Sequence, residues 1–74
     1  MRVADKTYIP LDTDKIRRLR VAAKLTQAEA AERAELTGKQ TWSDIENGRR
    51  SNVTIEVLDR IAKALGVRAA DLLK

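Results

Sequence analysis

Between Gln27 and Arg50 the chain gathers polar side chains suited to holding a polyanion, at spacings that fit short helices. Lys39 and Gln40 are adjacent, and Ser43 and Asp44 follow one helical turn later. A lysine donates to O6 and N7 of guanine, a glutamine amide pairs with N6 and N7 of adenine, and a carboxylate accepts from N4 of cytosine. On one face of a helix these four make a base-reading set, with Lys39 and Gln40 foremost. Asp44 could also repel phosphate and so sharpen register. Asn47, Arg49 and Arg50 come next as a backbone clamp, because arginines that neutralise phosphates release counterions and add affinity without sequence information. Gln27, Thr37 and Gly38 stand where helices are expected to begin, and donors there suit a phosphate. The plainer reading of each is a solvated residue or an ordinary cap, and Thr37 and Gly38 can serve in both ways. Catalysis has no comparable set. With no histidine and no cysteine, the usual general base, the thiolate nucleophile and the commonest metal ligands are missing. No enzyme activity, metal or cofactor is expected.

Helices must position these groups. Thr26-Gln27-Ala28-Glu29 has the form of a capping box, in which Thr26 caps a helix and Glu29 reaches back. That helix carries Ala28, Ala30, Ala31 and Ala34, small enough for another helix to approach closely. The chain breaks at Glu35-Leu36-Thr37-Gly38, and a further helix is expected from about Lys39 to Glu46, closed by Asn47-Gly48. Upstream, Asp12 or Thr13 can cap a first helix running to about Lys24, whose apolar stripe is Ile16, Leu19, Arg20 and Ala23. Arg20 is the odd member, since a guanidinium on a buried stripe requires a carboxylate partner. Glu46, beside the apolar Ile45, is equally unfavourable unless paired. Ser51 to Val53 reads as a linker, and Thr54 caps a fourth helix through Leu65 with the stripe Leu58, Ile61, Ala62 and Leu65. Gly66 stops it, and a short fifth helix from about Ala69 offers Leu72 and Leu73 to the core.

Composition fits this reading. Seventy-four residues make one domain. With no phenylalanine and one residue each of tyrosine and tryptophan, the core must come from Leu, Ile, Val and Ala, which favours packed helices. The net charge of +4 suits a polyanionic partner. No run is apolar and long enough for a membrane span, and nothing resembles a secretory leader, so a cytoplasmic location is expected. Residues 1–11 read as an extended arm, since Pro10 pushes Ile9 out of the helical region, and residues 12–74 as the domain. The expected class is all-α.

The stretch from Ile16 to Leu73 resembles the Cro and phage-repressor family, the XRE-like or lambda-repressor-like helix-turn-helix type. The matching pieces are Leu25-Thr26-Gln27, Ala31, the run Ile45-Glu46-Asn47-Gly48-Arg49-Arg50, and the run from Ile61 to Val67. Together they span roughly four fifths of the chain in the family's order. The resemblance implies a compact five-helix fold, a third helix that reads operator DNA in the major groove, and a structural pair between Glu46 and the first-helix arginine, here Arg20. The chain departs from the pattern in three places. The segment from Ala34 to Ile45 is one residue longer, Glu35 or Leu36 stands where the family often has glycine, and Trp42 takes an inward aliphatic position. An indole there fills space left by the alanines, and its N–H requires an acceptor.

The expected function is a bacterial or phage transcriptional regulator, a repressor acting through double-stranded DNA. One such domain buries only about 600–1,000 Å² on DNA, so a homodimer at least on DNA is expected. The alternative keeps the fold for a protein partner, either as an antitoxin with its toxin or as an interaction module.

Overall fold

The computed structural model describes residues 11–49 and 53–74. The arm expected over residues 1–11 falls outside them apart from Leu11, and so does Arg50. The described chain is helical: α1 (Thr13–Ala22), α2 (Gln27–Arg33), α3 (Lys39–Glu46), α4 (Ile55–Leu65) and a closing 3₁₀ turn (Ala69–Leu72). Three helix starts are tied by side chains. Asp12 accepts from the Lys15 N–H at 3.1 Å, and Thr54 accepts from the Val57 N–H at 3.1 Å. At α2 the capping box is complete, Thr26 accepting from the Glu29 N–H at 3.0 Å and Glu29 from the Thr26 N–H at 2.8 Å. Helix α3 differs. It begins at Gly38, in extended backbone, with no side-chain cap.

All four helices close with the same pair of backbone bonds. After α3, the Arg49 N–H donates to the Asp44 carbonyl at 2.8 Å and the Gly48 N–H to the Ile45 carbonyl at 3.2 Å. This closure needs one residue in the left-handed region. Gly48 (φ 77°) and Gly66 (φ 75°) supply it after α3 and α4, but Lys24 (φ 60°) and Glu35 (φ 58°) do so after α1 and α2. Helix α1 therefore ends at Ala22, two residues short of the expected Lys24.

The core is Ile16, Leu25, Ala30, Ala31, Ala34, Trp42, Ile45, Val53, Leu58, Ile61, Ala62 and Leu72. Helix α2 lies against both α3 and α4, and its buried Ala30 and Ala31, with Ala34 at its C-cap, share the cluster with Trp42, which is 0% exposed. Two sequence expectations need correction. Val53, read as linker, is 2% exposed and belongs to the core. The expected fifth α-helix is a four-residue 3₁₀ turn. Its entry is pinned where Asp71 accepts from the Arg68 N–H at 3.1 Å. Its exit is pulled into an antiparallel bridge between Leu73 and Leu11, alongside the bond from the Asp12 N–H to the Leu72 carbonyl at 2.8 Å. So few residues between two fixed points leave no length for a second α-turn. Among the described residues, no helix is long and apolar enough to cross a membrane.

Candidate nucleic-acid interface

Helix α3 has two unlike faces. Trp42, Ile45 and Glu46 are buried, while Lys39 and Gln40 are exposed and Ser43 and Asp44 half-buried. Asn47 and Arg49, just past its end, are exposed. The outer side chains are joined one turn apart. Gln40 Nε2 donates to Asp44 Oδ1 at 2.9 Å, and Asn47 Nδ2 donates to Ser43 Oγ at 3.2 Å. Arg49 Nη1 stands 3.9 Å from the same Asp44 oxygen. Asp44 thus touches both the expected base-reading and backbone groups. Thr37 and Thr41 hydroxyls lie 2.8 Å apart, so Thr37 is engaged with α3 itself while Gly38 holds the cap position.

The inner face of α3 is organised around one carboxylate. Glu46, 2% exposed, accepts from Arg20 Nε on Oε2 at 2.5 Å and from the Trp42 indole N–H on the same oxygen at 2.6 Å. Its Oε1 accepts from Arg20 Nη2 at 3.3 Å and from Gln27 Nε2 at 3.2 Å. The remaining Arg20 nitrogen, Nη1, donates to the Leu25 carbonyl at 2.8 Å. Residues from α1, α2 and α3 therefore meet at Glu46. Gln27, whose amide was expected to suit a phosphate, directs one N–H of that amide to Glu46.

This geometry agrees with the comparisons. A family profile described as a helix-turn-helix domain matches residues 14–73. The chain belongs to that family. A solved structure similar to this helix-turn-helix domain is the clp gene regulator ClgR from Corynebacterium glutamicum. It is 30% identical with a TM-score of 0.72, over 80% of this chain and 61% of that one. The chain thus spans about three fifths of that protein. Among curated proteins there is no match. In this helix-turn-helix domain α2 and α3 are the motif helices, and Ala34–Gly38 joins them.

Burial alone would push the Glu46 carboxyl up. The hydrogen bonds from Arg20, Trp42 and Gln27, with the Arg20 charge, outweigh it and hold the group below the usual carboxylate value. Sequence reading missed two features of this hub. The indole acceptor is Glu46, four residues on from Trp42, a spacing that puts the two on one helix face. Arg17 brings a second guanidinium to Glu46, with Nε 3.6 Å from Oε1. Its place one turn before Arg20 was the available signal.

Proposed function

We propose that this domain is a sequence-specific DNA-binding regulator of transcription, of bacterial or phage type, which represses by occupying a short operator. The observation that carries the reading is the two-faced α3, with an apolar and ionic back locked into the fold and a front of Lys39, Gln40, Ser43 and Asp44. Membership of the helix-turn-helix family and the likeness to a protein described as a gene regulator support it. In this reading α3 enters the major groove. Lys39 and Gln40 meet base edges first, and Ser43 and Asp44 contact bases or steady their neighbours. Gln27, Thr37, Gly38, Asn47, Arg49 and Arg50 hold the phosphate backbone on either side. The uncapped start of α3 suits this, because N–H groups there are not taken by a side chain.

Two copies on a two-fold operator, with half-sites about 34 Å apart, would supply the specificity that one small domain lacks. The test is selection of bound sequences from random duplex DNA. An enriched pseudo-palindrome is the expected result, and no enrichment even at low salt would refute the proposal.

A further inference from the structure

The Glu46 hub holds one more cation than it needs. A carboxylate offers about four lone-pair sites, and Glu46 already receives four donors: two from Arg20, one from Trp42 and one from Gln27. Its single negative charge is matched by Arg20, whose third nitrogen is also committed inward. Arg17 Nε stops 3.6 Å away, outside hydrogen-bond range. The Arg17 side chain is 51% exposed, and an ion pair that open to water contributes little to folding. Two guanidinium charges thus face one buried carboxylate, which leaves a net positive spot where Arg17, Arg20 and Gln27 converge on Glu46.

Gln27 completes the spot. Its Nε2 lies 3.2 Å from the same Oε1 that Arg17 approaches to 3.6 Å, so the two nitrogens are no more than about 7 Å apart. The Arg17 guanidinium keeps its two Nη groups free of that contact, and the Gln27 amide keeps a second N–H. That separation lets one phosphate take a hydrogen bond from each.

We propose that Arg17 and Gln27 form a seat for a single backbone phosphate of duplex DNA, held in place by Glu46. This rests on the DNA-binding reading above and extends it to α1. Because Glu46 is also the inner anchor of α3, the seat ties phosphate engagement on α1 and α2 to the pose of the reading helix. Arg17 supplies charge and Gln27 direction.

The experiment is fluorescence anisotropy of the full chain with a random-sequence duplex of roughly two helical turns. Wild type, Arg17→Gln, Arg17→Lys and Arg49→Gln are titrated across a salt series, and the thermal midpoint of each is measured. Arg17→Gln should lower the slope of log affinity against log salt by about one, so its loss between about 50 and 200 mM salt is about threefold smaller than wild type's. Arg17→Lys should restore the slope, and the midpoint should hardly move. Gln27→Ala combined with Arg17→Gln should cost less than the two losses together, since either change opens the same seat. An Arg17→Gln slope equal to wild type's, while Arg49→Gln lowers it, would overturn this inference and leave the DNA reading intact. Failure of wild type to bind at low salt would overturn both.

Discussion

Replacing Arg20 and Glu46 singly and together tests the centre of the fold. Glu46→Leu leaves the Arg20 guanidinium, 15% exposed, without its carboxylate, and leaves the Trp42 N–H unpaired in a fully buried place. A stranded buried charge costs about 3–5 kcal/mol, and an unmade buried hydrogen bond about 1–3 kcal/mol. A chain this size has only about 4–11 kcal/mol in total, at about 0.05–0.15 kcal/mol per residue. Glu46→Leu should therefore remove most of the stability. Arg20→Met should cost less, about 3 kcal/mol, because Glu46 keeps Trp42 and Gln27 and has Arg17 at 3.6 Å to move in. The double variant removes both charges and leaves chiefly the indole unsatisfied, so it should be more stable than Glu46→Leu alone. The coupling should be at least about 2–3 kcal/mol. Urea unfolding read by the single tryptophan, with far-UV circular dichroism as a second probe, measures each corner of the cycle. Single losses that add to the double loss within about 0.5 kcal/mol would refute the argument.

Three other outcomes follow from the same structure. The Glu46 carboxyl is held below its ordinary value in the fold, so its contribution is fully present above the unfolded carboxylate pKa of about 4.3 and is lost as pH falls through the folded value. Urea unfolding over this acid range should show wild type losing stability with a component that Glu46→Gln lacks. Glu35→Gly should stabilise the domain by up to about 1 kcal/mol, since Glu35 sits at φ 58°, where a side chain costs about 1–2 kcal/mol and glycine returns part of that as chain entropy. An unchanged or lower urea midpoint would show that the Glu35 side chain earns its place by another contact. On a selected operator, Lys39→Ala or Gln40→Ala should cost about 1–3 kcal/mol and relax preference at one or two base pairs, while Arg49→Ala weakens operator and random DNA alike. A base-substitution scan in which both helix variants keep the wild-type preference would remove Lys39 and Gln40 from the reading face.

What could be read in advance was local. The Thr26–Glu29 box, the Thr54 cap, the Leu58–Ile61–Ala62 stripe and the bounds of α3 all rest on residues within one or two turns of each other, and such signals survive in a bare sequence. Arg20 on an apolar stripe announced that a partner was needed. Naming Glu46, 26 residues away, took the family resemblance. The features that escaped depend on distant packing or hidden backbone. Lys24 carries no glycine signature for the left-handed residue it supplies, and at Glu35 only the family's glycine at Glu35 or Leu36 pointed to one. Val53 looked like linker because a single valine beside a cap has no period, yet it lies in the core. Arg17 and Gln27 converge on Glu46 only once three helices are in place. The 3₁₀ turn follows from a bridge to Leu11, which no local pattern encodes.

That bridge makes the domain a body held at one point. An antiparallel bridge holds its two residues with Cα atoms about 5 Å apart, so Leu11 and Leu73 offer two points of attachment side by side. A pull through those two attachments loads the short pairing at Leu11–Leu73 and the Asp12–Leu72 bond first. The load reaches the helices only after the pairing opens. Mechanically the domain is a head on a clasp: the clasp yields early under tension, while the Glu46 junction, far from that line of force in the chain, still fixes α3.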